Sequence, residues 1–251
     1  MQQPGSKAAK KGCACGVGGC FAFVIGIAAF VGFIIYFTAY SNTCAKMMGE
    51  ETYPLAGDPT RFDPFAAIPD IRSKLGPDAI LLDMDASSVR SDGTLDLKAQ
   101  YKPAPTATYR FRVPIKEAPK DAPPIGAGRK PGDIWIEDVT VRVYEPGMRR
   151  HVTRISGGSR SSYSYTNEGM DMDRSSPQMG SLEGALPSPK ITTKEMWEFA
   201  ISKGADKEAV ARVSFEDDGY EFTISELKYH IRWDADGKLD EDRSTWPDKP
   251  R

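Results

Sequence analysis

Several short constellations in this 251-residue chain have residue types and spacings that could do chemistry. Ser225-Glu-Leu-Lys228 fits S-x-x-K, in which a serine nucleophile stands one helical turn from a lysine. That chemistry needs the motif to open a helix, with S-x-N and K-T-G companions; here it falls between expected strands and has neither companion. Asp234-Ala-Asp236-Gly237 has the alternating carboxylates of a calcium loop, but the glycine comes two positions early and a third ligand is missing, so the spacing predicts a hairpin. Cys13, Cys15 and Cys20 form a C-x-C-x4-C array, whereas a zinc site wants C-x2-C pairs and a second ligand pair. The two histidines, His151 and His230, have no neighbouring ligand or triad partner. Met170, Met172 and Met179 are scattered without a histidine cluster and read as flexible filler, not as a soft-metal site. Gly16-x-Gly18-Gly19 follows no strand, which excludes a nucleotide loop. The sequence assigns no catalytic residue, no metal ligand and no cofactor, and the expected function is not enzymatic.

Charge points to binding instead. Arg142, Arg149, Arg150, Arg154 and Arg160 concentrate positive charge within a short stretch. If Arg142 and Arg154 share a strand face, then Arg142, Arg149, Arg150 and Arg154 form a candidate patch for an acidic partner or an envelope polymer; a solvated sheet face is the simpler account. The net charge of −2, with both signs interspersed, argues against a nucleic-acid partner.

The elements that must position these residues begin with an uncharged run from Val17 to Tyr40, preceded by Lys7, Lys10 and Lys11. As a helix it would be roughly 36 Å long, enough to cross a ~30 Å hydrocarbon layer. The expectation is a single transmembrane helix over 17–40, with residues 1–16 cytoplasmic and the C-terminal part translocated. Cleavage of a signal peptide near Ala39-Tyr40-Ser41 is the alternative, but the run exceeds a typical signal core. Gly18, Ala22 and Gly26 fall four apart, the strip of small residues that lets a second helix approach, which makes a homo-oligomer one reading. Cys44 is the only cysteine beyond the run and is a candidate for an intermolecular disulfide.

Residues 41–62 read as a membrane-proximal tether. In 63–156, Asp63-Pro64 and Pro69 bracket the start of a short helix that ends near Leu75, before Gly76. Alternation at Leu95–Tyr101, Tyr109–Val113 and Val139–Val143 predicts strands, with a proline-rich loop over 114–132. Residues 157–190, rich in Ser, Gly and Met, read as a flexible linker. In 191–243, Thr192 and Glu195 form a capping box, and three strands follow around an Asp218-Gly219 turn. Residues 244–251 read as a tail. A faint echo between Ser73-Lys74-Leu75-Gly76 and Ser202-Lys203-Gly204 suggests a duplicated helix-plus-strands unit.

The opening Ile191-Thr192, the capped helix, the strand rhythm and the terminal Asp234-Ala235-Asp236-Gly237-Lys238 make residues 191–243 resemble a PepSY-like module. Met196 and Phe199 depart from the small residues such helices often carry, and Asp236 stands where threonine is frequent. The resemblance implies a small extracytoplasmic module associated with restraining or assisting secreted peptidases, and it carries over no functional residue. The expected fold is therefore α+β: a single transmembrane helix followed by antiparallel-sheet modules, each with a covering helix. The expected protein is a single-pass inner-membrane one that binds or regulates another envelope protein, with a structural subunit of a membrane complex as the alternative.

Overall fold

Alternation of apolar and polar residues along successive strands builds one sheet with two chemically different faces. The computed structural model describes residues 27–37, 39–40, 50–117, 132–156 and 158–246. In chain order the elements are α1 (27–37), β1 (Glu50–Pro54), α2 (Ile68–Leu75), β2 (Ile80–Val89), β3 (Thr106–Pro114), β4 (Ile134–Val143), β5 (Arg149–Ser156), β6 (Ser159–Thr166), β7 (Gly169–Arg174), β8 (Gln178–Gly180), α3 (Thr193–Ser202), β9 (Ala211–Glu216), β10 (Gly219–Ile224), β11 (Tyr229–Trp233) and β12 (Leu239–Asp242). Ten strands form an antiparallel sheet in the order β1-β7-β4-β3-β2-β9-β10-β11-β12, with β8 also paired to β4; β5 and β6 form a separate hairpin.

The register fixes both faces. Met172, Val141, Tyr109, Met84, Phe215, Tyr220 and Trp233 are successive cross-strand partners from β7 to β11, a continuous apolar row. One residue along each strand runs the opposite row: Asp171, Arg142, Thr108, Asp85, Ser214, Glu221 and Arg232. Because side chains alternate between faces with a period of two, one residue of slip would exchange the rows, so burial of the apolar one locks the register.

The apolar face is covered by α2, through Ile68, Ile71 and Leu75, and by α3, through Met196, Trp197 and Ala200. α3 starts where the capping box predicts: Thr192 Oγ1 accepts from the Glu195 amide at 3.1 Å, and Glu195 accepts from the Thr192 amide at 2.6 Å. Asp63 Oδ1 accepts from the Phe65 and Ala66 amides at 2.9 and 3.0 Å, closing a turn ahead of α2, which begins at Ile68 with proline in its first turn. Gly219 in the β9–β10 turn has φ +121, and a Cβ there would lie 2.1 Å from the Trp233 carbonyl oxygen, so only glycine fits. Each half of the chain runs helix then antiparallel strands, α2-β2-β3-β4 and α3-β9-β10-β11, and the halves meet where β2 pairs with β9. The two sheet regions therefore share one sheet and one core.

Several expectations are corrected. Among the described residues no helix is long and apolar enough to cross a membrane. This overturns the single-pass anchor, the inner-membrane placement and the helix-anchored α+β class, and puts a mostly antiparallel ten-strand sheet in their place. The stretch 157–190 contributes β6, β7 and β8 where a flexible linker was expected. β6 is a serine-rich strand paired with the adjacent β5, while β7 and β8 are short and find their partners, β1 and β4, far away in sequence. The expected tether is, from Glu50 onward, part of the fold: β1 pairs with β7 and Phe62 is buried. Leu95 and Leu97 alternate and are buried, yet they lie in a loop whose only ladder contact is the Phe62–Leu95 bridge. The proline-rich loop falls largely outside the described residues.

Candidate functional site: a basic arm over buried carboxylates

The hairpin β5–β6 folds back as an arm over the polar face of the sheet near β7 and β1. Its register pairs Arg150 with Tyr165, Val152 with Tyr163 and Arg154 with Ser161, and these residues share one face. That face meets the sheet. Tyr165 Oη donates to Asp171 Oδ2 at 2.7 Å, and Arg150 lies 3.5 Å from the same oxygen with its guanidinium 4.0 Å above the Tyr144 ring. Arg154 pairs with Asp173 and lies 3.5 Å from Glu50 Oε1. The sheet supplies this acidic floor because Glu50 and Asp173 are cross-strand partners and Asp171 is two residues from Asp173 on the same face.

Charge is buried here at a cost. Asp171 is 0% exposed and Glu50 2%. Asp171 Oδ1, Glu50 Oε2, Asn167 Nδ2 and the Tyr163 hydroxyl are buried without a hydrogen-bond partner among the described residues. Burial pushes the Asp171 carboxyl above its ordinary value, against the pull of the Tyr165 hydrogen bond and of Arg150. Burial also raises Glu50, helped by the neighbouring Asp171 and Asp173. The Tyr163 hydroxyl is pushed up to about 12, first by burial and then by Glu50.

These directions fix a sign. A carboxyl whose pKa is raised on folding holds its proton more tightly in the folded state. Its contribution is complete below the ordinary carboxylate range and is lost as pH rises through the folded value. Asp171→Asn, which keeps an acceptor for Tyr165 without the charge, is expected to match the native chain below the ordinary carboxylate range and to lose less stability as pH rises from that range toward neutrality. Paired urea melts across that range check it; equal pH slopes for the two proteins would contradict it.

The opposite face of the arm pairs Arg149 with Thr166, His151 with Ser164, Thr153 with Ser162 and Ile155 with Arg160. From Arg149 to Thr166 the sequence holds four arginines, one histidine and no acid. The fold divides these cations. Arg150 and Arg154 are set inward on carboxylates, while Arg149 and Arg160 are exposed and, among the described residues, form no ion pair. Arg149 also lies 5.9 Å over the Phe37 ring of α1. His151 Nδ1 lies 3.0 Å from Ser164 Oγ, and the Thr153 and Ser162 hydroxyls are 3.0 Å apart, so hydroxyls line the space between the cations.

Of the four arginines expected as one patch, Arg142 lies on β4 opposite Asp171, Arg150 and Arg154 face the same acidic floor from the arm, and Arg149 points away. Gly18, Ala22, Gly26 and Cys44 lie outside the described residues. Ser225 and Lys228 fall on a 3-10 turn between β10 and β11. Asp234 Oδ1 accepts from the Asp236 and Lys238 amides at 3.0 and 2.9 Å, as a hairpin turn does. Among the described residues no group of three His, Cys, Asp or Glu is arranged to hold a metal ion. Reading the sequence missed Glu50, Asp171 and Tyr165. The available signal was Met170-Asp-Met-Asp173, whose strict alternation puts both acids on one strand face. Compared with protein-family models, curated proteins and solved structures, the chain matches none, so the PepSY-like resemblance rests on the residues quoted for it.

Proposed function

We propose that this chain is a binding protein, not an enzyme, and that it offers the outward face of the β5–β6 arm to an acidic surface on a partner protein. The observation that carries this reading is the division of cations across the arm. Inward arginines face buried carboxylates and hold the arm down, while Arg149 and Arg160 are left exposed beside a ladder of hydroxyls. Two exposed guanidiniums in an acid-free strand pair offer forked donors to carboxylates without the extended basic surface that a nucleic acid needs. A peptidase is the partner class that the resemblance of residues 191–243 implies.

A photo-crosslinking residue placed at Ser162, on the outward face, tests this in cells producing the full chain, with Glu198 on the exposed side of α3 as the control. The expected result is a discrete protein adduct from position 162 and none from 198. Arg149→Glu with Arg160→Glu should reduce that adduct about tenfold, the ratio that ~1.4 kcal/mol represents. Equal adducts from both positions, or an adduct that survives the charge reversal, would contradict the reading.

A further inference from the structure

On the other side of the sheet, between α2 and the chain leaving β1, lies an open cleft of about 300 Å³. Its floor is apolar and comes from the core: Ile71, Val143 and Met170, each 2% exposed or less. Its rim carries Asp58 and Asp63 beside Arg61, and Asp70, which is paired with Lys74 at 2.7 Å. Two of these carboxylates are held in place by local turns: Asp58 Oδ1 accepts from the Thr60 amide at 2.9 Å, and Asp63 Oδ1 from the Phe65 and Ala66 amides. The volume is at the low end for a ligand site and suits one or two aliphatic side chains. The chemistry asked of an occupant is an aliphatic group with a cation beside it.

The chain itself displays such a pair. Ile155 near the arm tip is 76% exposed, and its cross-strand partner is the exposed Arg160. The register places tip and cleft at opposite ends of β1. Arg150 reaches Asp171, which is opposite Thr52, and Arg154 reaches Glu50 and Asp173 at the start of the strand, so the tip lies beyond Glu50. The cleft begins at Leu55, just past Pro54. Tip and cleft are also on opposite faces of the sheet, so no copy can fill its own cleft.

We propose that the cleft receives the arm tip of a second copy of this chain, with Ile155 on the apolar floor and Arg160 on the carboxylate rim. The contact is heterologous: each copy gives a tip and takes a tip, so copies add head to tail. A contact this small makes a weak association, seen at high protein concentration and weakened by salt. The inference rests on the arm being the binding element, and it names one acidic surface the arm can take.

The test is sedimentation of the full chain in a non-ionic detergent, which covers the exposed apolar side chains of α1 so that association through that helix is suppressed. A tip variant, Ile155→Asp with Arg160→Glu, and a cleft variant, Ala66→Trp, both change exposed positions, and melting curves confirm that each is folded. The native chain is expected to form a concentration-dependent series of oligomers, and each variant alone to stay monomeric. An equimolar mixture should recover a dimer and nothing larger, because only one intact tip and one intact cleft meet in it. A native chain that stays monomeric, variants that associate like the native chain, or a mixture without a dimer would overturn the inference. A monomer throughout, alongside an arm adduct at Ser162 that the charge reversal removes, would sink the self-association alone and leave the arm's binding role standing.

Discussion

Trp197→Ala is expected to lower stability by about 3–5 kcal/mol, the cost of emptying a large aromatic site that neighbours fill only in part. Trp197 is 0% exposed and is one of the side chains that tie the two halves of the chain together. It stands on α3, its Nε1 donates to the Val89 carbonyl of β2 at 3.2 Å, and its ring meets Phe222 of β10 edge-on at 5.1 Å between centroids. The alanine variant loses that packing and leaves the Val89 carbonyl without this donor beside the β2–β9 seam. A second tie crosses the same seam, Thr193 Oγ1 to the Gly93 carbonyl at 2.6 Å, and it depends on α3 staying seated. Chemical unfolding followed by circular dichroism measures the effect, and the melting temperature should fall by roughly 6–20 °C. A loss below about 1 kcal/mol would mean that the halves do not share one core.

The second large effect is expected at the arm. Arg154→Ala leaves Glu50, 2% exposed, and Asp173 without their nearest cation, with Arg142 as the remaining one near Glu50. Stranding a charge in a fully buried pair costs about 3–5 kcal/mol, and because Arg154 is itself 31% exposed the loss here is expected below that range, about 1–3 kcal/mol. Here the loss must depend on pH. Glu50 is already raised by burial and by its acidic neighbours, and Arg154 is the first of the groups that hold it down. Without Arg154 the carboxyl rises further, so the penalty is largest at neutral and alkaline pH and shrinks as acid supplies the proton. Hydrogen exchange locates the damage: amides of β5 and β6 should lose protection before those of β9–β11. Uniform loss across both sheets, or a penalty that grows toward acid pH, would contradict this account.

The parts of the fold that could be read from sequence are those set by neighbours along the chain. β9, β10, β11 and the capped α3 follow from local alternation, an Asp-Gly turn and a capping box, and all four form where expected. The echo between the segments after α2 and α3 matches two helix-then-strands halves, but nothing local announces that β2 pairs with β9 or that β1 crosses to β7. The arm was hidden because β6, Ser-Arg-Ser-Ser-Tyr-Ser-Tyr-Thr, has the composition of a linker, and it is a strand because Tyr165 finds Asp171 beneath it. The arginines were visible as a cluster, while their division into inward and outward sets depends on strand phase and on carboxylates up to about a hundred residues away. The apolar run at the N-terminus suggested a membrane span by length, and among the described residues no helix is long and apolar enough to cross a membrane.

The most direct test of the central claim separates the two sets of arginines in one experiment. Adduct yield from a crosslinker at Ser162 is measured beside the melting temperature for Arg149→Ala with Arg160→Ala and for Arg150→Ala with Arg154→Ala. The outward pair is expected to lose the adduct at an unchanged melting temperature, and the inward pair to lower the melting temperature. An outward pair that melts early, or that leaves the adduct intact, would show that the exposed face of the arm is not where the partner binds.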